Sequence, residues 1–161
     1  MAHIFISYSR TDIEIARQLK KRLEARAFKV WMDETDISAG DILWRAIEQA
    51  IDDCTALIVL VSPRSTKSEW VEREVLCAER KHKPILPILI EGEEWSRLAD
   101  IHHADMRTGV PDDLPETLLQ NLQTAGAAQR TEPKPNTASV LYGPLAALSR
   151  KKIPRWVDYL V

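Results

Sequence analysis

The 161-residue chain predicts an α/β fold in three layers, a parallel sheet with helices on both faces. Short apolar runs alternate with helix-period segments through the first 125 residues. One of those runs, TALIVLVS, is almost wholly aliphatic, as in a strand covered on both sides. Polar residues gather in the segments that follow the strands. A strand–helix alternation at this spacing is satisfied by parallel strands joined through crossover helices.

The elements follow in order. IFISY reads as the first strand. DIEIARQLKKRLEARA places Ile13, Ala16, Leu19, Leu23 and Ala27 near helical spacing, and Asp12 suits the positive end of that helix. FKVWM is the second strand, DETDISAGD a polar turn region, and ILWRAIEQAIDD the second helix. After TALIVLVS, STKSEWVEREVLCAERKH has Ser and Thr at its start and Lys and His at its end, predicting a capped helix of about four turns. PILPILI is the fourth strand, with Pro84 at its beginning and Pro87 at a boundary or edge position. GEEWSRLADIHHADMRTG is mixed, and LPETLLQNLQTA reads as a last helix.

Composition bounds the organisation. The chain is 45% apolar and 29% charged with a net charge of −2, values of a globular protein rather than a disordered or collagen-like one. Residues 126–161 carry six Lys/Arg against two acids, a balance of +4, and the preceding part carries 16 against 22, a balance of −6. AGAAQRTEPKPNTAS has no periodicity and reads as a linker. The expected division is a body over 1–125, a linker over 126–139 and a tail over 140–161, which docks or leads to another element. Two cysteines, Cys54 and Cys77, stand alone in apolar settings, so no disulfide framework is expected and a reducing cytoplasm is. No signal peptide or membrane-spanning run is visible. Near-neutral charge argues against nucleic-acid binding.

In such sheets ligands bind beyond the carboxyl ends of the strands. The segments there are SYSRTD, DETDISAG and SPRSTKSEW. The first contains no glycine, which excludes a dinucleotide fingerprint and a phosphate loop, since both need close backbone approach. The middle strand ends in Ser62-Pro63 where a receiver domain would carry a phosphoacceptor Asp. No metal site is expected: His102 and His103 are adjacent and do not converge on one ion. No nucleophile elbow is present.

One acid is placed oddly. Trp70, Glu74 and Cys77 share a helical face beside Val71, Val75 and Ala78. That puts Glu74 next to an indole at the edge of the buried stripe. It faces a cleft, partly desolvated, or pairs with Arg73 or Arg80, or is simply solvated.

Together FISYSRTD, VWMDETDISAGDILWRAI, IVLVSPRSTKSEWVEREV and KPILPILIEG resemble a TIR (Toll/interleukin-1 receptor) domain of the bacterial kind, over roughly residues 3–125. The resemblance implies a flavodoxin-like fold with five parallel strands. It also implies cleavage of NAD⁺ to nicotinamide and ADP-ribose or a cyclic isomer, with NAD⁺ a consumed substrate and no cofactor required. The family's catalytic glutamate, the last residue of W-x-x-x-E, falls on Glu74. The loop after the first strand lines the family's nucleotide cleft, which points to Tyr8, Ser9 and Arg10. The loop after the second strand, the BB loop, carries Asp33, Ser38 and Gly40 at matching positions. Active members often have an acid where Ser38 stands and an aromatic where Ile42 stands.

The remaining residues have alternatives. Arg10 serves either a diphosphate or an ion pair with Asp12, and Asp33 either substrate or an Asx-type turn of its loop. Gly40 suits a positive φ. Trp31, Trp44 and Trp70 are candidates to stack on a base; the spacing of Trp44 with Ile47 favours core packing, and Trp70 borders the cleft. Family members work as defence or signalling effectors activated by self-assembly, often with a sensing element in cis or trans. Two other functions compete: a non-catalytic adaptor binding other TIR domains, and a nucleoside-processing transferase using a carboxylate at ribose C1.

Overall fold

Strand β3 (Cys54–Val61) is buried at all eight positions and lies at the centre of a five-stranded parallel sheet. The computed structural model describes residues 2–34 and 40–131. Around β3 the strands β1 (His3–Ser7), β2 (Val30–Met32), β4 (Ile85–Leu89) and β5 (Ala104–Asp105) take the order β2-β1-β3-β4-β5. Every neighbouring pair is parallel. This order, with five strands, is the flavodoxin-like arrangement expected.

The period-2 pleat of β3 divides the core. Ala56, Ile58 and Leu60 face one layer, where they pack with Leu19 and Leu23 of helix α1 (Ile13–Glu24) and Leu118 and Leu122 of α4 (Glu116–Thr131). Leu57, Val59 and Val61 face the other, against Ile47 and Ile51 of α2 (Gly40–Asp53) and Val71, Val75 and Ala78 of α3 (Glu69–Arg80). Each fully buried Leu or Ile contributes about 1.5–3 kcal/mol relative to exposure. A continuous aliphatic strand is therefore what a sheet covered on both faces demands.

Several boundaries differ from the sequence reading. Helix α3 starts at Glu69, after Ser68 caps it by accepting from the Val71 N–H at 3.3 Å. The preceding Ser65–Lys67 forms a separate 3-10 turn, so the helix is three turns rather than four. Helix α4 continues to Thr131, past Ala125. Pro87 lies inside β4, in register with Val59. The Ile90 N–H bonds back to Val61, so by alternation the missing N–H of Pro87 belongs to the other side. There β5 pairs only with Ile88 and Leu89. The proline thus sits on a local edge. Between β4 and β5 the crossover holds only a 3-10 turn, Ser96–Leu98, which accounts for the mixed periodicity of that stretch.

Helices α1 and α3 end alike. After α1, the Ala27 N–H bonds to Glu24 and the Phe28 N–H to Leu23, with Ala27 at φ 64°. After α3, the His82 N–H bonds to Glu79 and the Lys83 N–H to Ala78, with His82 at φ 53°. Both are Schellman-type ends with a side chain where glycine is usual. His103 is buried and structural: its Nδ1 lies 2.9 Å from the Ile101 carbonyl and its Nε2 accepts from the Trp95 N–H. Among the described residues no group of acids, histidines and cysteines could hold a metal ion, and no helix is long and apolar enough to cross a membrane.

Candidate active site

In the order β2-β1-β3-β4-β5 the connections diverge between β1 and β3, the switch point at which such sheets carry their ligand crevice, beyond the carboxyl ends of the strands. The residues gathered there come from the end of β1, the end of β2 and the first turns of α3.

Ser7 closes β1. The pleat that sends Phe5 toward α2 and α3 sends Ser7 the same way. Its hydroxyl donates to Oε2 of Glu74 across 67 residues of sequence. Glu74 lies on the buried stripe of α3, between Val71 and Ala78, and is only 3% exposed. Its partner is thus a strand hydroxyl, and neither Arg73 nor Arg80. Arg73 instead lies over the Trp44 ring, 3.7 Å from the centroid. Trp70 meets Trp44 edge-on at 5.7 Å. Its Nε1 is buried without a hydrogen-bond partner among the described residues.

Burial dominates the electrostatics of Glu74. It pushes the carboxyl up to about 8, with Asp33 adding in the same direction. The Ser7 hydroxyl opposes this most, followed by the charge of Arg10 and the nearby indole N–H of Trp70. A group so placed is held neutral by its surroundings and ionises when a cation approaches.

Of the other expected site residues, Tyr8 is 6% exposed, and its ring lies in the opposite core layer, among the residues of α1 and α4. Its hydroxyl donates to the Asp33 carbonyl at 2.5 Å, and burial raises the phenol to about 12. Ser9 is turned to Thr11, oxygen to oxygen at 3.0 Å. Arg10 is one-third exposed and pairs with Asp33 at 3.1 Å, which replaces the expected pairing with Asp12. The carboxylate of Asp33 thus serves an arginine from the neighbouring loop. Gly40 is the first residue of α2. Ser38 lies outside the described residues. Trp31 stacks on Phe5 at 4.9 Å and belongs to the core, and Trp44 packs against the core beside α3 as expected.

The sequence reading missed two features. Ser7 was only the end of an apolar strand; a lone hydroxyl on the face of Phe5 was the available signal. The second is a network under the loop after β3. The buried carboxylate of Asp12 accepts from the Ser62 hydroxyl at 2.6 Å and from Arg64 Nε at 2.9 Å. Arg64 also pairs with Glu91. Ser62 and Ser65 bond each other through main chain and side chain. This ties three loops together at the carboxyl end of the sheet.

Two cavities among the described residues lie away from Glu74. One, of about 670 Å³, lies at the opposite end of the sheet beside His3, Lys29 and Asp53. The other, of about 270 Å³, lies between α2 and α3 beside Trp44 and Arg80.

Comparison with known proteins bears on this arrangement. The TIR domain family matches residues 4–122. The 2′ cyclic ADP-D-ribose synthase BtTIR of Bacteroides thetaiotaomicron is 36% identical over 89 residues, covering 52% of this chain and 31% of that protein. The NAD(+) hydrolase ApTIR of Actinoplanes sp. is 31% identical over 123 residues, covering 68% of this chain and 17% of that protein. The TIR domain of the Toll-related receptor TRR-2 from Hydra magnipapillata superposes with a TM-score of 0.57 at 19% identity, over 79% of this chain and 95% of that one. The last likeness shows the fold. The chain spans less than a third of the length of these two curated relatives.

Proposed function

Because the chain belongs to the TIR domain family, we propose that it cleaves the nicotinamide–ribose bond of NAD⁺, with Glu74 as the catalytic carboxylate. The observation that carries this reading is the buried carboxyl of Glu74, hydrogen-bonded to Ser7, at the divergence of β1 and β3. Relatives named as an NAD(+) hydrolase and a cyclic ADP-D-ribose synthase support the substrate.

The chemistry suits a site with one acid. Nicotinamide leaves neutral and needs no proton, while positive charge builds on the ribose as in glycoside cleavage. A fixed carboxylate stabilises that charge more strongly in an enclosed site than in water. Burial favours the neutral form of Glu74. The pyridinium–ribose unit brings a cation to it and favours the ionised form. Water, or a hydroxyl of the second ribose, then attacks the ribose carbon and gives the linear or the cyclic product.

Trp70 offers a ring at the same face, and Arg10, with Asp33 beside it, offers a one-third-exposed cation for the diphosphate. Ser9, Ser38 and Gly40 stand as proposed substrate contacts on the family resemblance, and Tyr8 holds the end of β2 through the Asp33 carbonyl. Because Glu74 is enclosed, substrate enters when the side chains over it move, and assembly with another copy is the event proposed to move them. The body over 1–125 carries the chemistry, and the linker and tail connect it to a sensing element. The test is nicotinamide release from NAD⁺ by concentrated protein, compared with Glu74→Gln. Release by the first and none by the second supports the reading, and no release by either, even when multimerised, removes it.

A further inference from the structure

Glu74 has two oxygens, and among the described residues it makes one hydrogen bond of normal geometry, from Ser7. One turn earlier on the same helix face stands Trp70, whose indole N–H is buried without an acceptor among the described residues. An orphaned buried donor is costly, and it persists in native proteins where another state of the site uses it. The same N–H favours the charged form of the Glu74 carboxyl, although it makes no hydrogen bond of normal geometry to it. The charged and titratable groups around that carboxyl are Arg10 of the first loop, Asp33 at the end of β2 and Tyr8 beyond the sheet. Arg10 and Asp33 pair with each other. None of these donates a hydrogen bond to Glu74 in the described geometry.

We propose that Ser7 and the Trp70 indole N–H are a matched pair of donors that hold the Glu74 carboxylate in its working orientation. Ser7 holds it in the resting site, and Trp70 joins when Glu74 takes its negative charge. Both are positioning residues that act through Glu74, and the proposal rests on Glu74 being the ribose-facing carboxylate. The neutral acid carries one O–H donor and an acceptor oxygen, and the Ser7 hydroxyl serves one of the two. The carboxylate accepts only, and a second donor then removes the cost of leaving charge unpaired in a dry site. Trp70 is thus assigned more than a stacking surface: its nitrogen, rather than its ring alone, matters.

The test separates nitrogen from ring and position from fold. In purified protein, the Glu74 carboxyl carbon and the Trp70 indole N–H are followed by NMR from pH 5 to 10. The indole resonance is expected to move downfield with the same midpoint as the Glu74 carboxyl. Ser7→Ala is expected to raise that midpoint, and Ser7→Thr to restore it. An indole resonance that stays still while Glu74 titrates, or a midpoint unmoved by Ser7→Ala, overturns the proposal. These readouts do not depend on turnover. In NAD⁺ cleavage, Ser7→Ala and Trp70→Phe are each expected to lower kcat about 10- to 100-fold with little change in KM. If Glu74→Gln is inactive while both variants keep the wild-type kcat and pH profile, the proposal fails and the catalytic reading stands. If Glu74→Gln remains active, it is the catalytic reading that fails.

Discussion

Asp12, at the start of α1, holds Arg64 of the loop after β3 through both Nε and Nη2, at 2.9 and 2.7 Å. The carboxylate is 3% exposed and also accepts from Ser62, so it locks the crevice rim from the side opposite Glu74. Breaking it leaves a buried hydroxyl and a guanidinium short of their partner. Asp12→Ala is expected to cost roughly 2–4 kcal/mol, the lower half of the range for buried pairs because Arg64 is partly solvated. Urea denaturation measures this. A loss below about 1 kcal/mol would show that the network is dispensable.

The buried acid gives stability a particular pH slope. Glu74 titrates near 8 when folded and near 4.5 as an unperturbed side chain. Between these values the native state keeps a proton that the unfolded chain has released. Its contribution is therefore fully present below about pH 4.5 and is lost as pH rises through 8. Glu74→Gln removes that slope, so the variant should gain on wild type as pH increases, by up to about 5 kcal/mol at pH 9. Denaturation at pH 5, 7 and 9 checks it, and a constant difference across that range would contradict it.

Ala27 sits at φ 64° in the turn that ends α1. A left-handed backbone costs an ordinary residue about 1 kcal/mol relative to glycine. Ala27→Gly is expected to stabilise by about 0.5–1 kcal/mol, because part of the gain is returned as unfolded-state entropy. Thermal melting reads the effect, and a lower Tm would refute the assignment of strain there.

Arg73 covers Trp44, which in turn meets Trp70. Arg73→Ala is expected to cost about 0.5–1 kcal/mol through the lost cation–π contact. It should also lower kcat only modestly, since Glu74 does not depend on Arg73 for a hydrogen bond. A loss of activity comparable to that of Glu74→Gln would mean that Arg73 belongs to the chemistry.

Much of this was legible in the chain because buried strands and amphipathic helices write their burial into sequence. TALIVLVS announced β3, and the Ser and Thr of STKSEW announced a capped α3, though the helix begins only after Ser68. Glu74 stood out because a carboxylate interrupts a stripe of Val, Cys and Ala. What could not be read are pairings between segments distant in sequence. Arg10 had Asp12 two residues away and Asp33 far along the chain, and strand order alone brings Asp33 to it. Ser7 met Glu74 for the same reason. Pro87 looked like a boundary because alternation tells which side of a strand a missing N–H falls on only once the neighbours are known.

The most direct measurement is chromatographic analysis of NAD⁺ incubated with wild-type protein and with Glu74→Gln at equal high concentration, both shown to be folded. The account predicts nicotinamide with ADP-ribose or its cyclic isomer from wild type, and at least a 100-fold slower release from the variant. Equal release by the two proteins would contradict it.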